Sequence, residues 1–160
     1  MDSLNKQEFF DDSWMVLIAE RLSVGQRVRY LKFRGVSMLP MLRQGKDSVE
    51  LSPLSGKLKK YDLPVYLRSD GQYVMHRVVG VKDDYYICLG DNTLNFETVY
   101  PEQIIGVVSA FKRDEKRIEV SHLGYRIYCR LWRPTQIVRV MRQKVKGFLH
   151  KLKSRIIRKY

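Results

Sequence analysis

LPVYLRSDGQYVMHRVVGV, residues 63–81, contains two strand-like runs that indicate the fold class. Two runs rich in Val, Tyr and Leu flank Ser-Asp-Gly at positions 69–71, a triplet that favours a tight turn. Such a pattern is typical of two strands joined by a short connection. We therefore expect residues 63–68 and 72–81 to form neighbouring antiparallel strands.

Strand-like segments continue on both sides of this pair. They occupy residues 27–35, 47–51, 84–90, 103–113 and 117–120, and short turns containing Gly, Asp or Asn separate them. The pattern predicts a mainly β fold, with an antiparallel body over residues 27–121, a helical segment over 1–26 and a different kind of segment over 122–160.

The N-terminal segment has the apolar spacing of a short helix. Residues 10–22 carry apolar side chains at Phe10, Trp14, Leu17, Ile18 and Leu22. Ser13 or one of the two preceding aspartates is a candidate N-cap, and Gly25 is expected to end the helix.

The C-terminal segment holds nearly all of the excess positive charge. The chain has a net charge of +13, yet 12 Lys and Arg and no acid lie from His122 onward, which leaves 18 basic against 17 acidic residues elsewhere. Apolar residues there form one helical stripe: Ile137, Met141, Val145, Phe148, Leu149, Leu152 and Ile156. We predict a basic amphipathic helix that begins after Pro134 and contacts an anionic membrane surface through residues 134–160. Packing on the body is the second alternative, and nucleic acid is the least favoured partner.

Several classes of protein do not fit the composition. Two cysteines, Cys88 and Cys129, are too few for a disulfide framework and lack metal-ligand spacing, so we expect buried free thiols and no metal or cofactor. The N-terminus lacks the order of a secretory signal. The longest apolar run, residues 14–19, is far shorter than the roughly 20 residues of a membrane-spanning helix. We expect a cytoplasmic protein, peripheral on the inner membrane face.

Ser37 lies in a segment whose backbone is constrained from both sides. In GVSMLP, residues 35–40, Gly35 permits close approach of the backbone and Pro40 restricts the residue before it. This is either a structural corner or a corner that presents a hydroxyl. A serine nucleophile needs a base within hydrogen-bond reach and donors for the oxyanion that it creates, and the N–H of Ser37 is one candidate donor.

His76 is the strongest candidate for that base. Strand alternation places it with Val74 and Val78 on one face, among apolar neighbours, and directs Arg77 to the other. An imidazole titrates near neutral pH and needs little tuning to act as a base. The competing bases are lysines, which must be desolvated to serve in this way; they are Lys57, Lys59, Lys60 and Lys82.

A carboxylate to orient His76 has two candidates. Asp91 in LGDNT, residues 89–93, either binds nearby backbone amides in a turn, orients His76, or holds the loop beside it. Glu97 is the second candidate. The sequence leaves the choice open.

Taken in order, GVSMLPML, KKYDLPVYLR, VMHRVVGV and LGDN resemble the serine peptidase clan that contains the signal peptidases and the LexA-type repressors. The resemblance covers residues 29–112 and is closest to the signal peptidases that use histidine as base. It implies a signal peptidase/LexA-like β body in which Ser37 is the nucleophile, His76 the base and Asp91 the acidic residue. Supporting positions are Gly35, Val36, Met38, Pro40, Arg77, Asn92 and Glu97. Asp62 matches an acidic position of the family, but Tyr61 replaces its usual glycine.

The resemblance implies a serine endopeptidase that removes a leader or signal segment from a peptide or protein precursor. Signal peptidases usually carry a spanning helix, which this sequence lacks. The alternative function is a non-catalytic module on the same fold that binds peptide, membrane or nucleic acid.

Overall fold

The computed structural model describes residues 12–157. The helices are α1 (Asp12–Ser23) and α2 (Leu123–Ile157), and a 3-10 turn covers Pro101–Gln103. The strands are β1 (Val28–Leu31), β2 (Ser48–Ser52), β3 (Pro64–Leu67), β4 (Tyr73–Met75), β5 (Arg77–Val81), β6 (Tyr86–Leu89), β7 (Glu97–Val99), β8 (Ile104–Arg113) and β9 (Lys116–Glu119).

The strands form two antiparallel sheets. The larger sheet has the order β1-β2-β8-β3-β4, with β9 paired to β8, and the smaller has the order β5-β6-β7. A mainly β fold with a helix at each end is therefore confirmed. Strand β8 is central to the larger sheet because β2, β3 and β9 all pair with it, and shifts of register bend it against both β2 and β3.

The hairpin predicted from residues 63–81 forms only in part. Strands β3 and β4 pair as expected, with Val65 opposite Met75 and Leu67 opposite Tyr73. The second strand does not continue to residue 81, however. It stops at Met75, and residues 77–81 form β5 of the other sheet. His76 is thus the residue at which the chain changes sheets. The expected alternation nevertheless continues through it: Val74 and Val78 pack in the same hydrophobic cluster as Tyr66, which contacts His76, whereas Arg77 lies on the other side.

The segment after β1 also leaves its sheet early. Residues 27–35 were expected to form one strand, but β1 ends at Leu31. Gly35 has a φ of 102°, in the left-handed region that favours glycine, and its N–H donates to Oε1 of Gln44 at 2.9 Å. The chain turns there towards Ser37.

Helix α1 packs one face on the larger sheet. Its buried residues are Met15, Ile18 and Leu22, whereas Trp14 and Leu17, which the sequence assigned to the apolar face, are about half exposed. Gly25, with a φ of 84°, follows the helix, and Gln26 N–H bonds back to the carbonyl of Arg21, so the predicted helix end is confirmed. Phe10 lies outside the described residues.

Helix α2 begins eleven residues before Pro134 and passes through it, so the predicted start after Pro134 is wrong. Proline removes one helical hydrogen bond and costs about 3 kcal/mol in a helix interior. Packing offsets that cost, because Tyr125 and Cys129 before the proline and Gln136 after it are all buried. Tyr125 and Cys129 join the same core as α1, and both cysteines are buried free thiols as expected. Neither α1 nor α2, over the residues described, has an apolar stretch long enough to cross a bilayer.

Candidate active site

Ser37 lies at the second position of a turn, residues 36–39, between β1 and β2. The carbonyl of Val36 accepts from Leu39 N–H at 3.2 Å, and the carbonyl of Met38 accepts from Leu42 N–H at 3.0 Å. Met38 is buried, whereas Ser37 is only half-buried. The peptide bond before Pro40 is cis. Met38 therefore packs in the core and holds the turn, while Ser37 lines a cavity at the surface.

That cavity is about 400 Å³ and lies between the two edges of the larger sheet. Leu31, Phe33 and Gly35, from β1 and the segment after it, line one wall. Tyr73 and Met75 of β4 line the other. Since β1 and β4 are the outermost strands of this sheet, the sheet curves until its edges face each other across the cavity. Ser37 and His76 both line it.

The turn between β6 and β7 brings the serine and histidine together. A Cβ atom placed on Gly90 would lie 2.8 Å from the carbonyl oxygen of Ser37 and 3.0 Å from Nε2 of His76. The N–H of Asn92 donates to that same carbonyl at 2.7 Å, and Nδ2 of Asn92 donates to the carbonyl of Val36 at 3.1 Å. Within the described residues, no hydrogen bond joins the Ser37 hydroxyl to His76. Both side chains line one cavity, and the main chain of Ser37 and the ring of His76 both approach Gly90.

His76 is buried. The sequence placed it among apolar neighbours, but the groups that contact its Nδ1 atom are polar. Nδ1 lies 3.2 Å from the hydroxyl oxygen of Tyr66 and 3.1 Å from Oε1 of Glu97. The hydroxyl of Tyr66 donates its proton to Oε2 of Glu97 at 2.9 Å. Its oxygen must therefore accept a hydrogen bond from Nδ1–H of His76. This network assigns the ring proton to Nδ1 and leaves the lone pair on Nε2, the atom near Ser37.

Glu97 is itself held in place by Arg68. Nε of Arg68 donates to Oε2 of Glu97 at 2.7 Å, and its Nη2 pairs with Oε1. Burial raises the pKa of Glu97, but the hydrogen bonds from Arg68 and Tyr66 outweigh it and hold that pKa below its ordinary value. Burial lowers the pKa of His76, and the negative charge of Glu97 offsets only part of that effect. At neutral pH the site thus contains an ionised Glu97 and a neutral imidazole.

Asp91 does not contact His76. Its two carboxylate oxygens accept from Nε and Nη2 of Arg77 at 2.8 and 2.7 Å, and both side chains are almost fully buried. Burial lowers the pKa of Arg77, but its bonds to Asp91 and the charge of that carboxylate raise it further, so the guanidinium remains protonated. Of the alternatives for Asp91, the geometry agrees with support of the adjacent loop. Glu97 is the carboxylate beside the imidazole.

Arg77 also joins helix α2 to the site. Its Nη1 donates to the hydroxyl of Tyr125 at 2.7 Å and to Sγ of Cys129 at 3.0 Å, and its Nη2 lies 2.9 Å from Sδ of Met41. Arg77 is therefore a buried junction between β5, α2 and the turn that follows Ser37.

Gln136 is a site residue that the sequence did not reveal. Nε2 of this buried side chain donates to the carbonyl oxygens of Gly90 and Thr93 at 2.6 and 2.7 Å, so α2 holds the turn that contacts both Ser37 and His76. Tyr66 and Arg68 were missed as well. Their alternate positions on one predicted strand are a signal that could have found them, and Gln136 continues the helical spacing of Tyr125 and Cys129.

The lysine alternatives lie away from the site. They are all exposed, and none lines the cavity; they are Lys57, Lys59, Lys60 and Lys82. Among residues 12–157, no group of three or more His, Cys, Asp or Glu side chains is arranged to hold a metal ion.

The chain was compared with protein-family models, with curated proteins and with solved structures, and no match was found in any of the three.

Proposed function

We propose that this protein is a serine endopeptidase in which Ser37 is the nucleophile and His76 the general base. The observation that carries the proposal is that Nε2 of His76 and the main chain of Ser37 meet at Gly90, on one cavity, while Tyr66 and Glu97 engage Nδ1 of the same ring. A base needs an unprotonated nitrogen directed at the nucleophile, and the arrangement supports one on a buried, neutral imidazole.

The catalytic cycle follows from these positions. Nε2 of His76 takes the proton of Ser37 as the hydroxyl attacks the peptide carbonyl, and Glu97 stabilises the imidazolium that forms. His76 then protonates the leaving amine. In the second half of the cycle His76 takes a proton from water, the water attacks the acyl-enzyme, and His76 returns the proton to Ser37 as the product acid leaves. The N–H of Ser37 has no acceptor among residues 12–157 and is a candidate donor to the oxyanion. In this scheme Asp91 positions the loop through Arg77 and takes no proton.

The substrate we propose is an extended peptide that enters between the two sheet edges. Among the strands of residues 12–157, β4 pairs only with β3 and β1 only with β2, so each has one edge without a strand partner there. A peptide strand can bond to such edges through its main chain while alternate side chains enter the pocket. The sequence resemblance adds that the peptide is a precursor cut after small residues.

The backbone at Tyr61 also supports the resemblance. Its φ is 81°, in the left-handed region that favours glycine. This is the position at which the similar family usually has glycine, the residue that adopts such a conformation without strain. The location we propose is the cytoplasm, at the inner face of the membrane.

The test compares the protein with its Ser37→Ala variant on a peptide extract from the host. Mass spectrometry should identify peptide ends that only the active protein produces. A matched variant, Ser55→Ala, replaces an exposed serine away from the cavity and should cleave like the unmodified protein. Ends produced equally by the Ser37→Ala variant would overturn the proposal. If peptides were retained without being cut, the non-catalytic binding module would be favoured.

A further inference from the structure

Helix α2 has one face committed to the body of the protein. Tyr125, Cys129 and Gln136 are buried on that face, and each bonds to a residue of the β body. These contacts fix the rotation of the helix about its own axis. They therefore also fix which of its residues face outward.

The opposite face is an exposed apolar stripe. Its members are between 45% and 69% exposed: Leu123, Ile127, Leu131, Val138, Met141 and Val145. Successive members are separated by four, four, seven, three and four residues, the spacing of a single helix face. The stripe extends for about 33 Å at 1.5 Å per residue. The sequence predicted a stripe only from residue 137 onward, whereas the exposed one begins fourteen residues earlier. Of the predicted members, Met141 and Val145 belong to it, and the side chains of Ile137, Phe148, Leu149, Leu152 and Ile156 lie outside the described ones.

Positive charge accompanies the stripe. The side chains of Arg126, Arg130, Arg142 and Lys146 are exposed on α2, and there is no acidic residue from His122 to the end of the chain. An anionic lipid surface complements both features, because headgroups pair with the cations while the apolar side chains enter the acyl region. Nucleic acid would leave the apolar stripe without a partner. A second copy of α2 would bring like charges together.

We propose that the outward face of α2, from Leu123 to Val145, binds flat on an anionic membrane and holds the β body at a fixed orientation to it. The turn at Gly90–Thr93, which Gln136 holds from the inner face, then lies about one helix diameter, roughly 10 Å, from the lipid surface. Cleavage by the site would be confined to peptide segments close to the membrane. The binding itself does not depend on the chemistry of Ser37.

The experiment is flotation of the full chain with lipid vesicles. We expect binding to vesicles of phosphatidylcholine mixed with phosphatidylglycerol, little binding to phosphatidylcholine alone, and release at high salt. A stripe variant combines Ile127→Ser, Leu131→Ser and Val138→Ser. The matched control combines Val16→Ser, Val24→Ser and Val81→Ser, three exposed apolar residues of the body. The stripe variant should bind on the order of 10²-fold more weakly, and the control should bind like the unmodified protein.

Equal binding by the stripe variant would overturn the proposal, as would failure of the unmodified protein to bind anionic vesicles. If the unmodified protein did not bind vesicles but sedimented as a dimer, and the stripe variant sedimented as a monomer, the partner of the stripe would be a second copy of the chain. Binding to duplex DNA in preference to vesicles, at equal strength in the stripe variant and the control, would also overturn the proposal. Because every arm can use Ser37→Ala protein, these results are independent of peptidase activity.

A second measurement tests the orientation. Cys88 and Cys129 are 0% and 1% exposed, so a cysteine introduced at Leu131 is the accessible thiol for a polarity-sensitive dye. On anionic vesicles the dye at Leu131→Cys should shift to the blue, whereas the dye at Val24→Cys should not. Equal shifts at both positions would contradict the orientation.

Discussion

The carboxylate of Glu97 lies 3.1 Å from Nδ1 of His76, and Arg68 holds that carboxylate from its other side. Replacement by Glu97→Gln keeps the shape but removes the charge that stabilises an imidazolium. We expect kcat to fall by about 10- to 100-fold. Because the charge of Glu97 raises the pKa of His76, the acid inflection of the rate should also move to lower pH. Glu102→Gln, an exposed site on the 3-10 turn, is the matched control, and an unchanged rate and inflection in Glu97→Gln would reject the positioning role.

The pH dependence of the unmodified protein follows from the burial of His76. Burial lowers the pKa of His76, and only the neutral ring accepts a proton, so activity should rise with pH and reach its plateau through an inflection below the ordinary value of about 6.5. The unfolded chain binds this proton more readily than the folded chain. The contribution of His76 to the free energy of unfolding is therefore fully present above about pH 6.5. It declines as the pH falls towards the pKa of His76 in the folded protein. A kcat/KM profile with its inflection above pH 8 would instead indicate a lysine base.

Asp91→Asn should affect stability more than catalysis. It leaves Arg77 buried without its counter-charge, which costs about 3–5 kcal/mol in the free energy of unfolding. Glu119→Gln breaks an exposed pair with Arg117 and should leave that free energy nearly unchanged, because solvent screens exposed ion pairs. Urea unfolding measures both. A large loss of kcat with unchanged unfolding would return Asp91 to a catalytic role.

Gly90→Ala tests the close approach of the serine and histidine. Its new Cβ would lie 2.8 Å from a backbone oxygen of Ser37 and 3.0 Å from the His76 ring, so the two must move apart. We expect kcat to fall by about 100-fold, since displacements near 1 Å have effects of that size. In Gly80→Ala the nearest atoms belong to the flexible side chain of Ile87, at 3.2 Å, and activity should be retained. Equal activity of the two variants would contradict the geometry.

Gln136→Met tests whether α2 positions the site. The buried carbonyl of Gly90 and the half-buried carbonyl of Thr93 each lose one hydrogen bond, which costs about 1–3 kcal/mol of stability in total. At temperatures where the variant is folded, kcat should fall while KM changes little, because the turn supports the reacting groups. Gln136→Glu should be worse, since a carboxylate repels both carbonyls. Val138→Met, an exposed position on the same helix, is the control. A change in KM with normal kcat would argue against positioning.

The sequence predicted the strands better than their partners. The hairpin around Gly71 is a local feature, and it formed as expected. The change of sheet at His76 was missed because the apolar alternation runs through it without interruption. The choice between Asp91 and Glu97 depends on Arg77 and Arg68, and the sequence does not show which arginine meets which carboxylate.

Helix α2 shows the same limit. A proline is a strong local signal for a helix end, so the sequence predicted that α2 starts after Pro134. The helix starts earlier because tertiary contacts on both sides of Pro134 stabilise it. Ser37 and His76 were accessible to sequence reasoning because each lies in a short motif. Gln136 was not, since its partners are more than forty residues away.

The order of strands in the larger sheet has a consequence for synthesis. Ser37 follows β1 and His76 follows β4, which lie at opposite edges, and β8 joins the two halves. A nascent chain that has not yet released residue 113 from the ribosome holds both reactive side chains but no scaffold to unite them. The site that we propose can therefore form only after β8 has emerged from the ribosome.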